Sequence, residues 1–158
     1  MKPLTASILV VNIRGTINTP APMKQTLKQL HLSRRHRATI IPDNQVYRGM
    51  LRAVKDYVSW CPIDAPFMVK ILEKRARKEG GKPITKDDLK KLGYKSFIDL
   101  AKALEKGRAS LNRLKSLKPS FTLAPPKGGF KRSIRRPYHQ GGLLAENPDL
   151  PKLVEAML

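Results

Sequence analysis

Two glycine pairs, Gly128-Gly129 and Gly141-Gly142, enclose a run in which cations and aromatics mingle: Phe130-Lys131-Arg132-Ser133-Ile134-Arg135-Arg136-Pro137-Tyr138-His139. Glycine lets a backbone approach a sugar-phosphate closely and supplies the positive φ that turns require. Lys127, Lys131, Arg132, Arg135 and Arg136 suit phosphate oxygens, and Tyr138 or His139 can stack on an unpaired base. In an arbitrary protein the same run reads equally well as a solvated basic hairpin loop. Here the formal net charge of +20 favours nucleic acid, because so large a surplus repels itself in water until a polyanion neutralises it. A phosphate-binding P-loop is excluded, since Gly80-Gly81-Lys82 is followed by Pro83 and no glycine sits at the required upstream spacing.

Two weaker basic clusters stand nearer the N-terminus. Arg48 and Arg52 lie one turn apart at the start of a helix opening Tyr47-Arg48-Gly49-Met50, where free amides attract anions. A solvent-facing Arg pair explains them as simply. Arg14, Arg34, Arg35 and Arg37 flank the first two strand candidates and come together only if those strands are neighbours. Beside a strand, a charge run more often protects an edge. His31, His36 and His139 match no ligand spacing and no carboxylate cluster accompanies them, so neither catalysis nor a metal site is expected, and no cofactor. A single cysteine, Cys61, excludes an intrachain disulfide and a cysteine zinc site, and reads as a small buried hydrophobe.

The elements that must carry these groups follow from periodicity. Hydrophobic residues reach 41%, too many for a disordered basic tail, and 158 residues suffice for one domain or a domain with an appendage. The surplus charge is spread: +8 over residues 1–60, +9 over 61–120 and +3 over 121–158. After Lys2, the run Ile8-Leu9-Val10-Val11-Asn12-Ile13 is too short for a signal segment, and no stretch approaches the roughly 20 apolar residues of a membrane span. A protein of a reducing cytoplasm is expected.

Residues 7–14 read as a buried strand, apolar on both faces and closed by Gly15. Thr19 is the expected cap of a first helix on which Met23, Leu27 and Leu30 repeat. Ala38-Thr39-Ile40-Ile41 is a second strand, and Asp43 or Asn44 caps a second helix lined by Met50, Val54 and Val58. Ser59 to Ile63 is a third strand. Asp64 opens a helix, Thr85-Lys86-Asp87-Asp88 is a capping box for another ending at Gly93, and Ser96 opens one ending at Gly107. Phe121-Thr122-Leu123 is a strand candidate before the basic glycine-rich loop, and a short helix with Leu150, Leu153, Val154 and Met157 closes the chain.

At Pro42-Asp43-Asn44-Gln45-Val46-Tyr47-Arg48-Gly49-Met50 the chain resembles large-subunit ribosomal protein L-thirty, in the longer archaeal form related to the eukaryotic protein L-seven. The similarity includes Ile8 to Gly15, Val54-Lys55-Asp56-Tyr57-Val58, Pro125-Pro126-Lys127-Gly128-Gly129 and His139-Gln140-Gly141-Gly142. Residues 64–118 match in length and helical character only. The resemblance implies an α+β fold: a small three-stranded antiparallel sheet with two helices on one face, ferredoxin-like, plus a helical insertion and a basic Gly-rich C-terminal extension. It divides the chain into an rRNA-binding core at 1–63, a helical extension at 64–118 and a strand, basic loop and short helix at 119–158. It further implies a structural, non-enzymatic role on the ribosome in the cytoplasm. The implied partners are large-subunit rRNA, including the 5S rRNA side, and neighbouring ribosomal proteins, with no membrane. Arg14, Arg34, Arg35, Arg37, Arg48, Arg52, Lys127, Lys131, Arg132, Arg135, Arg136, Tyr138 and His139 are the expected RNA contacts. Without the resemblance, a free-standing chromatin or RNA-remodelling module accounts for the same charge.

Overall fold

The computed structural model describes residues 7–114 and 116–158, so Lys2 lies outside the described residues. In chain order the elements are β1 (Ser7–Asn12), α1 (Ala21–Gln29), β2 (Arg37–Pro42), α2 (Gln45–Ala53), β3 (Val58–Pro62), α3 (Ala65–Arg75), α4 (Lys86–Lys91), α5 (Phe97–Glu105), β4 (Phe121–Thr122), β5 (Ser133–Pro137), β6 (Gly142–Glu146) and α6 (Leu150–Met157). Short 3-10 turns occupy Leu111–Arg113 and Tyr138–Gln140.

Explicit local signals set most helix ends. Asn44 accepts the Tyr47 N–H at 2.9 Å and Asp64 the Phe67 N–H at 3.2 Å. At α4 the box is complete: the Thr85 hydroxyl accepts the Asp88 N–H at 3.4 Å, and the Asp88 carboxylate accepts the Thr85 N–H at 3.0 Å. Ser96 accepts the Asp99 N–H at 3.4 Å. The start of α1 departs from expectation. Pro20, with extended ψ, takes the cap position, and the Thr19 hydroxyl is buried without a hydrogen-bond partner. Proline's fixed φ moved the helix start one residue beyond Thr19's reach.

The expected three-stranded antiparallel sheet with helices on one face is corrected. The described residues form one six-stranded mixed sheet ordered β4-β2-β1-β3-β6-β5. β1 pairs antiparallel with β2 and β3, as β4 does with β2, whereas β6 runs parallel to β3 and β5 parallel to β6. Only the α+β class stands. The reason lies in β1, whose two faces are both apolar. Ile8 and Val10 join Leu27, Leu30, Leu51 and Val54 in a cluster under α1 and α2. Leu9 and Val11 face the other way, among Ile40, Met68, Ile71, Leu100, Phe121 and Val154. A fully buried aliphatic side chain of this size contributes about 1.5–3 kcal/mol. A bare second face would forfeit that for each, so α3, α5 and α6 cover it.

Strand β5 lies within the basic glycine-rich segment expected to be a loop, and β6 follows it in residues for which no element is expected. β5 is an edge strand with Ser133, Arg135 and Arg136 exposed and Ile134 half-buried, so its sequence carries no apolar alternation. Parallel strands ordinarily need a connection of a dozen residues or more. Here residues 138–141 suffice, because two glycines permit a sharp return. Gly141 turns with φ +85°, and Gly142 passes so close to the Arg136 carbonyl that a Cβ would occupy its place.

Candidate nucleic-acid interface

One end of the sheet, where β1 finishes and β2 and β3 begin, is organised by a side chain absent from the expected contacts. Asn12 is fully buried. Its amide donates to the Leu32 carbonyl at 2.8 Å, its side-chain oxygen accepts the Gly15 N–H at 2.8 Å, and its backbone carbonyl accepts the His36 N–H at 2.8 Å. The loop after β1 and the loop before β2 are thereby tied to one residue. Because β1 and β2 are neighbours, Arg14 and Arg35 of the Arg34–Arg37 cluster do come together. The Arg35 Nε donates to the Ile13 carbonyl at 3.1 Å, and the Arg14 guanidinium lies 5.3 Å from the centre of the Tyr57 ring.

The C-terminal basic segment is clamped to the same end through Phe130. Its ring stacks on His36 at 5.9 Å with planes 15° apart, and the Arg35 guanidinium sits 5.8 Å from its centre. Ile134 and Arg135 of β5 then share a cleft of about 280 Å³ with Arg14, Ile17, Asn18 and Tyr57. Ile17 is 90% exposed at the loop tip, an apolar group inside a basic rim. His36 contributes no cation, for burial and the neighbouring Arg35 push its imidazole below its ordinary pKa. It acts as a neutral packing ring.

Beside this cleft lies a larger one of about 320 Å³, where Lys127, Lys131, Arg132 and Tyr138 meet Lys152 and Leu153 of α6. The Tyr138 hydroxyl donates to Asp149 at 2.7 Å, and the Arg132 guanidinium lies 4.9 Å from the ring centre. That carboxylate raises the Tyr138 pKa above its ordinary value, so the phenol stays protonated. Arg136 is exposed on β5, and His139 is exposed in the turn after it.

Other expected contacts lie elsewhere. Arg37, at the first position of β2 opposite Thr122, lines a cleft of about 270 Å³ with Lys28, His31 and Lys118 along the β4 edge. Arg34 is exposed in the preceding loop. Arg48 and Arg52 are not part of the basic end. They line a hollow of about 120 Å³ with Ile8, Trp60, Pro62 and Glu146, and Ile8 and Pro62 pair at the far end of β1 from Arg14. Arg48 also forms a two-point ion pair with Asp43, one bond being 2.7 Å. The hydrogen bond from Arg48 holds the Asp43 carboxyl below the usual carboxylate range.

Asn12, Ile17, Lys28, Lys118 and Lys152 were not singled out from sequence. An asparagine interrupting Val10-Val11-Asn12-Ile13 is the one signal that pointed to such a role. Ion pairs among the described residues are Arg48–Asp43, Lys70–Glu155 and Lys78–Asp88. The cations at the basic end, Arg14, Arg35, Lys131, Arg132 and Arg135, belong to none of them. Such a surface attracts a polyanion over several ångströms and loses that attraction as salt is added.

Comparison with known proteins agrees with this chemistry. A family model described as Ribosomal protein L30p/L7e matches residues 8–58, from β1 to the start of β3. The chain is 43% identical over 152 residues to the large ribosomal subunit protein uL30 of Nitrosopumilus maritimus, covering 96% of this chain and 98% of that protein. To its counterpart in Cenarchaeum symbiosum it is 43% identical over 155 residues, covering 98% and 100%. To that of Archaeoglobus fulgidus it is 40% identical over 149 residues, covering 94% and 97%.

Proposed function

The chain belongs to the ribosomal protein L30p/L7e family, and from that premise we propose that it is a structural component of the large ribosomal subunit, binding and stabilising rRNA without catalysing a reaction. It resides in the cytoplasm as part of the ribosome, among neighbouring ribosomal proteins and on the 5S rRNA side. The convergence of Arg14, Arg35, Arg135 and the Phe130 clamp at one end of the sheet carries the reading. Distant parts of the sequence meet there in one cationic surface. The principal contacts are Arg14, Arg34, Arg35, Lys127, Lys131, Arg132, Arg135 and Arg136. Arg37 with Lys118 serves a second RNA segment, and Arg48 and Arg52 a third. Residues 64–118 act mainly by covering the sheet, since Met68, Ile71, Leu100 and Leu104 are spent on its second face.

Neutralising each phosphate releases counterions, so log K falls with log salt by roughly 0.7–0.9 per contact. Replacing Lys131, Arg132, Arg135 and Arg136 together by Ala is expected to weaken binding to deproteinised large-subunit rRNA by about 1 kcal/mol or more and to flatten that slope by about 3. In a density gradient the unaltered protein sediments with large subunits, and the quadruple variant is released at lower salt. Unchanged affinity and slope would remove these four residues from the contact surface; a protein recovered free of the large subunit would remove the ribosomal role.

A further inference from the structure

The cleft between α6 and the residues after Pro126 has features that phosphate neutralisation alone does not require. Its volume of about 320 Å³ is at the small end of pockets that enclose organic ligands, roughly 300–1,000 Å³. Its floor is apolar: Pro126 and Leu143 are buried and Leu153 is half-buried. One wall is an aromatic ring fixed at two points, with the Tyr138 hydroxyl on Asp149 at 2.7 Å and Arg132 over one face at 4.9 Å. Asp149 is itself held, its N–H donating to the Asn147 side chain at 2.9 Å. Asn147 is fully buried and anchored to the Leu143 carbonyl at 3.3 Å and the Trp60 carbonyl at 3.0 Å. A ring immobilised before binding loses little entropy when something stacks on it. Around the mouth stand Lys127, Lys131, Arg132 and Lys152, four cations against the one carboxylate, Asp149.

An apolar floor, a rigid aromatic wall and a cationic rim match one chemical unit: a flat base with a phosphate on either side. An A-form duplex keeps its bases inside the stack and cannot enter such a cleft. We propose that the cleft takes the base of a single unpaired rRNA nucleotide, stacked on Tyr138, with its flanking phosphates on Lys127, Lys131 and Lys152. The inference deepens the rRNA-binding reading above and rests on it. It assigns this site to direct capture of one nucleotide, in contrast to the backbone contacts of the β1 end.

The test separates stacking from charge. Leu153→Trp fills the cleft and Tyr138→Leu removes the platform, and both keep all four cations; Tyr138→Phe keeps the ring. Binding of each folded variant to deproteinised large-subunit rRNA is measured across a salt series. Stacking on a base contributes about tenfold or more in affinity. The first two variants are therefore expected to bind about tenfold more weakly with the salt slope unchanged. Tyr138→Phe should stay within about threefold of the unaltered protein. Ultraviolet crosslinking of the unaltered protein in the subunit is expected to attach the Tyr138 peptide to one unpaired nucleotide. Full affinity in Tyr138→Leu, or crosslinks from that peptide spread over paired nucleotides, would overturn the proposal while the quadruple variant still reports on rRNA binding itself. Tight binding of free adenosine monophosphate would overturn it differently, by making the cleft a small-molecule site.

Discussion

The return from β5 to β6 is the point where one methyl group should do most damage. At Gly142 a Cβ would fall on the Arg136 carbonyl and within 2.8 Å of the Arg136 Cα, inside the 3.0 Å that real Cβ contacts respect. The obstacle is backbone on both sides, so no side chain can swing away. Overpacking of this kind costs about 1–3 kcal/mol, and the upper half of that range applies where backbone must move. Gly142→Ala is thus expected to destabilise by about 2–3 kcal/mol. For a domain of this size that lowers Tm by roughly 2–4 °C per kcal/mol, or about 4–12 °C in all.

Two neighbouring tests isolate the cause. Gly141→Ala meets no atom within 4 Å but must hold φ +85°. It should cost about 1 kcal/mol, the left-handed penalty less the gain from a stiffer unfolded chain. Gly49→Ala lies inside α2, on its exposed face with nothing within 4 Å, and should stabilise by about 0.5–1 kcal/mol through helix propensity. Thermal unfolding followed by circular dichroism should rank the proteins Gly49→Ala, unaltered, Gly141→Ala, Gly142→Ala, from highest Tm to lowest. A Gly142→Ala Tm within measurement error of the unaltered protein would refute the close crossing, and with it the short parallel connection that presents Arg135 and Arg136.

Other consequences are equally direct. Hydrogen bonds from the Thr85 N–H and hydroxyl, with Lys78 nearby, hold the Asp88 carboxyl down at about 2 in the folded protein, against about 3.9 unfolded. A depressed folded pKa contributes stability above the unfolded value and loses it as the group protonates. Stability should therefore fall as pH drops from about 4 toward about 2, and Asp88→Asn should flatten that part of a pH–Tm curve. Burial, assisted by Glu146, pushes the Cys61 thiol up to about 12. Native protein near pH 8, about half a unit below an ordinary thiol pKa, should resist a disulfide reagent that titrates one thiol after unfolding; fast native labelling would contradict the burial.

Much of this molecule was legible before its tertiary structure. Local chemistry, acting within one turn or one strand, made the elements readable: the capping residues Asn44, Asp64, Thr85 and Ser96, the closing glycines Gly93 and Gly107, and the three apolar strands of the first sixty residues. The net charge and mingled aromatics pointed to a polyanion, and short motifs pointed to a family that full-length relatives then established. The doubled apolar faces of β1 are visible in its sequence, but which helices cover the second face depends on residues 64–158. Thr19 shows the limit of local reading, since one proline displaced its cap.

What the tertiary structure alone decided depends on distance along the chain. β5 and β6 pair through backbone hydrogen bonds, which leave no periodicity in a basic edge strand or in a five-residue strand whose buried residues, Gly142, Leu143 and Leu144, are consecutive. Whether Arg14, Arg35 and Arg135 form one surface while Arg48 faces elsewhere depends on strand order and register. Those are set by burial of Leu9, Val11 and their partners across more than a hundred residues of separation. Cation number is a property of composition. The place where cations gather is a property of packing, because only the packed sheet brings residues 12–14, 35–36 and 130–135 to the same end.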